Sequence, residues 1–321
     1  MKKRDHWVPE AFQEPPSFLL SGTPSWGLMN MKETSLLKLS LAQDELIVAP
    51  GAYDSLSAKI IEQAGFKAVF LSGFGLSASL LGKPDIGLLT MTEVVTQARN
   101  VAQAVNVPVL ADAEAGYGGI ANVQRTVREF ETAGVAGIFI EDQEHPVMCG
   151  SLQKYKKIVS PDDMVIKIRA ALDARDDSDF IIAARTDADV VSLDEQIRRC
   201  NIYAEAGADL VMPVLRDSNE YRIVAKEIKA PLWLLLGTWV DLTPDGLKKL
   251  GVRGIVTHAV ESTFAATKAI IDLMDEIRTK GTVRETLNKL GAPDFRDFFR
   301  LIGLREITAQ EEKIATEGPA D

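Results

Sequence analysis

The chain repeats one hydrophobic pattern along most of its length: an amphipathic stretch that ends at glycine, then a short apolar run, then polar residues. It appears at Gln63-Ala64-Gly65 before residues 68–71 and at Thr132-Ala133-Gly134 before residues 137–140. Glycine just past a helix supplies the left-handed conformation that ends it. Each repeat therefore predicts a helix followed by a strand. Eight apolar runs are of this strand-like kind, at residues 46–49, 68–71, 107–110, 137–140, 180–184, 210–212, 231–234 and 254–256.

Stretches with helical periodicity separate most of these runs or follow the last one. They cover residues 92–104, 121–132, 161–173, 193–206 and 261–279. Ser192 with Glu195 fits a capping box, and Thr243 followed by Pro244 fits a helix start. Eight strands that alternate with helices, with no Gly-x-Gly-x-x-Gly after the first strand, favour a (β/α)8 TIM barrel over a doubly wound sheet.

Length, composition and charge narrow the classes of function. With 321 residues and 46% hydrophobic residues, the chain can bury a large core. A net charge of −10 opposes nucleic acid or an anionic membrane as a partner, and no apolar run is long enough to span a membrane. Two cysteines, Cys149 and Cys200, offer no disulfide framework, which predicts a reducing, cytoplasmic location.

Three segments are expected along the chain. Residues 1–30 are predicted to form a flexible N-terminal extension, and residues 31–282 to form the barrel. Residues 283–321 are predicted to be a C-terminal helical segment for oligomerisation, because their apolar stripes have no strand left to cover.

Carboxylates and one arginine follow neighbouring strands of the predicted barrel. Asp112 and Glu114 follow the third run, Glu141 the fourth and Arg185 the fifth. Active sites of TIM barrels lie at these strand ends. Burying several unpaired carboxylates is unfavourable by many kcal/mol, so a hard divalent cation is the most direct explanation. The alternative is that these carboxylates cap helices or pair with lysine and arginine.

Two further features predict an anionic substrate. Arg185 ends an otherwise apolar strand and can clamp a carboxylate or phosphonate through two parallel hydrogen bonds. Its alternative role is a salt bridge to Asp112 or Glu141. Ser72 and Gly73, after the second run, can offer hydrogen-bond donors to an anionic oxygen. A metal-assisted enzyme acting on a small carboxylic acid is therefore the leading interpretation.

Six short motifs occur in a specific order and spacing: Leu71-Ser72-Gly73, Pro84–Gly87, Ala111–Gly118, Ile140–Gln143, Cys149-Gly150 and Ala184–Asp187. Through them, residues 46 to 300 resemble the isocitrate lyase/phosphoenolpyruvate mutase superfamily. Within it, the chain looks most like the short branch of methylisocitrate lyase, dimethylmalate lyase and oxaloacetate-cleaving enzymes.

The resemblance implies a fold, a cofactor and an assembly. It implies a TIM barrel that binds Mg²⁺ or Mn²⁺ through Asp112, with Asp85, Glu114 and Glu141 holding the ion mainly through waters. Members of the superfamily exchange their last helices between subunits and form dimers of dimers, so a homotetramer is expected. The predicted substrate-binding residues are Ser72, Gly73, Phe74, Gly150, Ser151 and Arg185.

The resemblance also implies that residues 144–157, called the gate segment below, form a loop over the site. Lyases of the superfamily carry Lys-Lys/Arg-Cys-Gly-His there, and the cysteine protonates the leaving enolate. This chain has Val147-Met148-Cys149-Gly150-Ser151. A thiol's action as a proton donor depends on nearby cations. Cys149 is therefore expected to be a less effective proton donor than the cysteine of those lyases. His145 either substitutes for the missing basic residues or is a solvated loop residue. The predicted catalytic residues are Cys149, Arg185 and Glu141.

Three further differences from the lyases of the superfamily concern the choice of substrate. Phe70 stands where lyases usually have tyrosine, Val214 where close lyases have glutamate, and residues 233–237 lack a common asparagine. The predicted pocket is more apolar than that of a tricarboxylate lyase, which argues against methylisocitrate itself.

The main hypothesis is a Mg²⁺-dependent carbon–carbon lyase acting on a 2-hydroxy dicarboxylate or related 2-keto acid through an enolate. One alternative is an oxaloacetate-type decarboxylase or hydrolase. Another is phosphonate chemistry of the phosphoenolpyruvate mutase kind, which Gln143 and Cys149-Gly150 oppose. A non-catalytic barrel is the alternative from a different class, and the retained carboxylates and Arg185 argue against it.

Overall fold

The computed structural model describes residues 31–43, 45–149 and 151–317. They fall into two compact units, of which one ends at Thr263 and the other begins at Phe264. The predicted N-terminal extension, residues 1–30, lies outside the described residues. No helix in the described part of the chain combines the length and apolar character needed to cross a membrane.

The first unit is an α/β fold built on a curled sheet of nine parallel strands. Every one of the eight predicted runs contains or overlaps a strand. The strands are β1 (Leu46–Val48), β2 (Gly51–Ala52), β3 (Val69–Leu71), β4 (Val109–Asp112), β5 (Gly137–Glu141), β6 (Ile181–Thr186), β7 (Leu210–Pro213), β8 (Leu232–Leu235) and β9 (Gly254–Thr257). Their order in the sheet is β1-β9-β8-β7-β6-β5-β4-β3-β2.

The first predicted run, residues 46–49, contains β1, and a second short strand that was not predicted, β2, follows it. β1 pairs with β9 and β2 pairs with β3, and Pro50, which has no N–H for a ladder bond, lies between them. The backbone nevertheless stays bonded on both sides, because Gly51 N donates to His258 O at 2.8 Å and Phe70 N to Pro50 O at 3.0 Å. A Cβ at Gly51 would lie 2.4 Å from Ala259 O. Proline and glycine together allow this short segment to bond to both of its neighbours.

Helices alternate with the strands, and the five predicted helices are confirmed to within two residues at each end. The two predicted helix starts are capped by side chains: Ser192 accepts from Glu195 N at 3.1 Å, and Thr243 accepts from Gly246 N at 3.1 Å. The helices are α1 (Glu33–Ala42), α2 (Ser55–Gln63), α3 (Gly73–Leu76), α4 (Met91–Ala102), α5 (Ile120–Ala133), α6 (Pro161–Ala174), α7 (Leu193–Glu205), α8 (Ser218–Glu227), α9 (Pro244–Lys249), α10 (Glu261–Lys280), α11 (Arg284–Leu290), α12 (Phe295–Leu301) and α13 (Leu304–Glu317).

Two apolar clusters stabilise the first unit. The larger one joins the outer face of the sheet to the helices, with Phe130 of α5 and Tyr203 of α7 among its fully buried side chains. The smaller one lies on the inner face and contains Phe70, Phe139 and Trp233. Leu37 of α1, a helix that the sequence analysis did not predict, belongs to this inner cluster and is 1% exposed.

The second unit is helical and carries little buried surface of its own. Between Phe264 and Thr316, all of which are described, Glu276 is the one buried residue. Its carboxylate accepts from Glu285 N at 2.9 Å and Thr286 N at 2.7 Å, which ties α10 to α11. Large apolar side chains are exposed along these helices, including Phe264, Ile270, Ile271, Met274, Leu290, Phe295 and Phe299. An apolar surface of this extent marks a helix set suited to an interface.

Candidate active site

The predicted site residues occupy the carboxyl ends of neighbouring strands. Asp112 ends β4, Glu141 ends β5, and Arg185 is the next-to-last residue of β6. Alternate residues of a strand face the same side. Since the residues two positions earlier belong to the inner cluster, all three polar side chains face the inside of the curled sheet. Those inner residues are Leu110, Phe139 and Ala183.

An aromatic floor lies below these polar groups. Trp233 meets Phe70 and Phe139 edge-on, with ring centroids 5.6 and 5.5 Å apart. The Trp233 indole N–H donates to Thr257 Oγ1 at 3.1 Å, so its polar atom is satisfied in the buried layer. The Arg185 guanidinium lies 5.5 Å from the centroid of the Phe139 ring. The floor gives Arg185 an apolar support and separates the polar groups from the rest of the interior.

Four carboxyl groups share this end of the sheet: those of Asp85, Asp112, Glu114 and Glu141. Burial is the largest cause of a raised pKa in every one of them, and it raises the pKa of Asp112 to about 7. Neighbouring carboxylates raise the pKa of Asp112, Glu114 and Glu141 further, whereas the charge of Arg185 lowers the pKa of all four. One guanidinium thus faces four carboxyl groups, an arrangement that a divalent cation would stabilise.

A turn brings Asp112 and Glu114 together. β4 ends at Asp112, and Glu114 has a positive φ of 52°. Its backbone N–H donates to Asp112 Oδ1 at 2.9 Å, and its carbonyl accepts from Glu141 N at 2.9 Å. The alternation of strand side chains does not determine where Glu114 lies, because β4 ends at Asp112. The Asp112 charge still raises the pKa of Glu114.

Arg185 is held by two carboxylates. Its Nη1 lies 3.2 Å from Glu141 Oε2, and its Nη2 donates to Asp187 Oδ1 at 2.9 Å. The predicted salt bridge to Glu141 is therefore present. The Arg185 Nε–H is buried and has no hydrogen-bond partner. A buried guanidinium with an unused donor retains capacity for an anionic ligand.

Ser72 and Gly73 form the start of α3 beside Asp112. The Ser72 hydroxyl oxygen accepts from Gly75 N at 3.2 Å and so caps this short helix. A Cβ at Gly73 would lie 2.6 Å from Asp112 Oδ2. Glycine at this position lets the backbone approach the Asp112 carboxylate. Phe74 follows and is half-buried.

The gate segment docks on the loop that carries Asp85. Cys149 N donates to Asp85 O at 3.0 Å, and the Gln143 side chain both donates to Met148 O and accepts from Met148 N at 2.9 Å. Cys149 is partly exposed, and the Ser151 hydroxyl donates to its Sγ at 3.5 Å. The structure thus brings Cys149 next to Asp85, whereas Gly150 lies outside the described residues.

His145 lies in the same segment and is exposed. Partial burial lowers its pKa, and the charge of Lys167 lowers the pKa further. Lys167 Nζ itself donates to Ala115 O at 3.1 Å, on the loop that follows β4.

Some carboxylates next to the site have structural partners. Asp142 accepts hydrogen bonds from Thr186 Oγ1 at 2.8 Å, Tyr203 OH at 2.7 Å and Arg199 Nη1 at 2.9 Å. It also accepts from Asp187 N at 2.8 Å. Here the alternative interpretation of a carboxylate paired with arginine is the one that the structure shows. Asp142 joins the ends of β5 and β6 to α7.

The sequence analysis missed two groups near the site. Lys156, in the run Lys154-Tyr155-Lys156-Lys157, has the sequence signature of a solvated charge, yet it is buried against Asp187 and Asp189. Tyr117 has a positive φ of 55°, and its buried hydroxyl has no hydrogen-bond partner. Burial and the nearby carboxylates raise the pKa of Tyr117. The one sequence signal for Tyr117 is its position in the family motif Ala111–Gly118.

The donor set fits a cation held partly through water. Across residues 31–43, 45–149 and 151–317, no three His, Cys, Asp or Glu side chains form a set that could hold a metal ion by itself. Four carboxyl groups, two of them buried and two partly buried, nevertheless interact with one guanidinium at this site. Mg²⁺ usually keeps several waters and uses only one or two protein carboxylates, so the absence of a closed cage is compatible with this ion.

The departures at Phe70, Val214 and residues 233–237 make the site more apolar. Phe70 is 2% exposed within the aromatic floor. Leu235 packs against the inner cluster. Val214 uses its backbone N–H to donate to Gln196 Oε1 at 2.7 Å, and its side chain adds no charge after β7.

Comparisons with known proteins agree with this fold. The profile of the phosphoenolpyruvate phosphomutase family matches residues 37–278. The 2,3-dimethylmalate lyase of Eubacterium barkeri is 40% identical over 294 residues, which cover 89% of this chain and 99% of that protein.

Two solved structures are similar over most of their length. A structure of oxaloacetate acetylhydrolase in complex with the inhibitor 3,3-difluorooxalacetate has a TM-score of 0.80 and 32% identity, and the match covers 90% of this chain and 99% of that one. A structure of phosphonopyruvate hydrolase in complex with oxalate and Mg²⁺ has a TM-score of 0.80 and 31% identity, with coverage of 88% and 99%.

Proposed function

Because the chain belongs to the phosphoenolpyruvate mutase/isocitrate lyase superfamily of lyases and mutases, we propose that it is a Mg²⁺-dependent carbon–carbon lyase. Its substrate would be a 2-hydroxy dicarboxylate or a related 2-keto acid. The observation that supports this best is the set of four carboxyl groups near Arg185, of which Glu114 and Glu141 are buried and Asp85 and Asp112 partly buried. Such a site suits a divalent cation together with an anionic substrate.

The metal would be held as the donor set suggests. Asp112 would be the direct ligand, and Asp85, Glu114 and Glu141 would act mainly through waters. Mg²⁺, or Mn²⁺ in its place, would supply charge stabilisation for the oxygen that becomes negative as the bond breaks. The phosphonopyruvate hydrolase structure contains Mg²⁺ together with oxalate, a small dicarboxylate of the class proposed here.

The protein groups have separate tasks in this proposal. Arg185, with Ser72 and Gly73, would bind and orient a substrate carboxylate, and Phe74, Gly150 and Ser151 would complete the pocket. Glu141 would accept the proton of the substrate hydroxyl, since burial raises its pKa towards the range of an effective base. The carbon–carbon bond then breaks, its electron pair stays on the leaving acid as an enolate, and the Cys149 thiol would give that enolate a proton.

The fold and the assembly extend the proposal. We infer that β1 and β2 act as one strand that bonds to β9 on one side and to β3 on the other, which would close an eight-stranded TIM barrel. The exposed apolar surface of α10–α13 supports helices exchanged between subunits in a homotetramer, a dimer of dimers. A cytoplasmic location is proposed from the two unpaired cysteines.

A second candidate is hydrolysis or decarboxylation of an oxaloacetate-type acid. The observation that favours it is the absence of basic residues at Val147 and Met148, directly before Cys149. Similarity to oxaloacetate acetylhydrolase supports the same substrate class. These reactions do not require a cysteine that returns a proton to a carbon atom.

Turnover of the Cys149→Ser variant separates the two candidates. A panel of 2-hydroxy and 2-keto diacids, assayed with Mg²⁺, first identifies the substrate. A hydroxyl is far less acidic than a thiol, so the lyase mechanism predicts that kcat falls by about 10² to 10⁴ while binding changes little. Cys200→Ala is the matched control, because Cys200 is fully buried in α7 and its loss should affect stability only. Wild-type turnover in Cys149→Ser would contradict the lyase mechanism and leave the hydrolase or decarboxylase.

A further inference from the structure

Lys156 is a fully buried lysine that the proposed reaction does not use. Its Nζ donates to Asp187 Oδ1 at 2.6 Å and to Asp189 Oδ1 at 3.0 Å. The side chains of all three residues are 0% exposed. Taking an ammonium group out of water is unfavourable by several kcal/mol unless its partners compensate. The negative charges of Asp187 and Asp189 therefore compensate for the burial of the Lys156 ammonium group.

Asp187 connects Lys156 to the active-site arginine. The same oxygen, Asp187 Oδ1, accepts from Lys156 Nζ at 2.6 Å and from Arg185 Nη2 at 2.9 Å. The second oxygen, Oδ2, is buried and has no partner. The Asp187 carboxylate thus divides its charge between two cations at one atom, and a change at either cation alters the attraction that the other one feels.

The backbone fixes Lys156 in this position. Gln143 and Ile158 form an antiparallel bridge, and Glu144 N donates to Lys157 O at 2.8 Å. These contacts close the base of the gate segment and direct the Lys156 side chain inward. Lys154 and Lys157, two and one residues away, are exposed. Lys156 therefore differs from the two neighbouring lysines in its buried position.

Arg185 can bind a substrate carboxylate only if the neighbouring carboxylates do not fully neutralise its positive charge. Glu141 and Asp187 contact it directly. Without the Lys156 charge, Asp187 Oδ1 would have Arg185 Nη2 as its one remaining cation of the pair, which would hold the guanidinium towards Asp187. Buried charges interact strongly because little water screens them.

We propose that Lys156 is a positioning residue that shares the Asp187 carboxylate with Arg185 and thereby keeps the Arg185 guanidinium available for a carboxylate of the substrate. The inference rests on the proposed function, because it presupposes that Arg185 binds an anion. It places the end of the gate segment in electrostatic contact with the substrate clamp. It also explains why one lysine of an otherwise solvated run is buried.

The test uses oxalate as the probe and calorimetry as the readout, in the presence of Mg²⁺. Lys156→Met should weaken oxalate binding by about tenfold or more, the equivalent of one charge-assisted hydrogen bond. Lys156→Arg, which keeps the positive charge, should restore most of the affinity. Lys157→Met removes a neighbouring exposed lysine and should bind oxalate as the wild type does. In steady-state assays on the true substrate, Lys156→Met should raise KM more than it lowers kcat.

Wild-type affinity in a folded Lys156→Met variant would overturn the inference and leave Lys156 as a structural ion pair. If that variant does not fold, Asp189→Asn decides the question. It removes one negative charge but leaves Lys156 bonded to Asp187, so oxalate should bind equally well or more tightly, and weaker binding would overturn the inference. Arg185→Met tests the proposed function separately, because undiminished oxalate binding in that variant would show that Arg185 does not bind the anion.

Discussion

Replacing Asp112 by asparagine should stabilise the protein in EDTA at neutral and alkaline pH, even though it removes a central site residue. Burial and the neighbouring Asp85 raise the pKa of Asp112 from 3.8 to about 7. Between these two pH values the carboxyl group is ionised in the unfolded chain but still protonated in the folded one. Folding stability therefore falls as the pH rises through this window. At 1.36 kcal/mol per pKa unit, ionisation of Asp112 lowers the free energy of unfolding by about 4 kcal/mol above pH 7.

Urea unfolding followed by circular dichroism measures this difference. Asparagine keeps an oxygen that can accept the Glu114 N–H, which Asp112 Oδ1 now accepts at 2.9 Å, and it has no charge to lose. The stability advantage of Asp112→Asn should be small near pH 4 and should grow to about 4 kcal/mol at pH 8. Saturating Mg²⁺ should stabilise the wild type at pH 8 by mass action and should not stabilise the variant.

Asp187→Asn is the matched control. Asp187 is also a buried carboxylate; burial raises its pKa, but the charges of Arg185 and Lys156, which donate to it, outweigh burial and lower the pKa below its ordinary value. Ionised Asp187 therefore stabilises the fold at neutral pH, and removing its charge leaves the buried Lys156 and Arg185 with one carboxylate less, so this variant should lose about 3 to 5 kcal/mol at pH 8. If Asp112→Asn behaves like the control and is less stable than the wild type in EDTA at pH 8, the reasoning from carboxylate repulsion is refuted.

Three other changes test separate parts of the site and fold. Gly73→Ala should abolish Mg²⁺ binding and activity while the protein stays folded, because its Cβ would lie 2.6 Å from Asp112 Oδ2; calorimetry that shows wild-type Mg²⁺ affinity would contradict the close approach. Glu141→Gln should weaken Mg²⁺ binding less than Asp112→Ala does, since water-mediated partners contribute less individually, and the reverse order would reassign the direct ligand. Truncation after Thr282 should cause aggregation or loss of the oligomer in light scattering, and a fully active monomer would rule out helix exchange.

The sequence predicted the strands and the long helices well because periodicity and glycine caps are local signals. All eight strand runs and the five predicted helices are present. The two-residue strand β2 was missed, since the sequence after Pro50 does not reveal that this short segment pairs with β3. α1 was also missed: its burial depends on Leu37 reaching the inner cluster, which is a tertiary contact.

The sequence predicts where the candidate site residues lie better than it predicts their local geometry. Asp112, Glu141 and Arg185 converge as expected, because parallel strands end at the same edge of a sheet. Glu114 arrives there through a positive φ that strand alternation does not foresee. Lys156 was missed because its partners lie 31 and 33 residues further along the chain. The lysine-rich run around Lys156 is typical of a solvent-exposed segment.

The aromatic floor gives this site an optical probe of its own. Trp233 is fully buried, its indole N–H is bonded to Thr257, and its ring touches Phe139, which in turn lies under the Arg185 guanidinium. An anion that draws Arg185 away from the Phe139 ring changes the electric field at the indole, and tryptophan emission is sensitive to such fields. Ligand entry can therefore be followed by intrinsic fluorescence, with no label attached and no need to know which reaction follows.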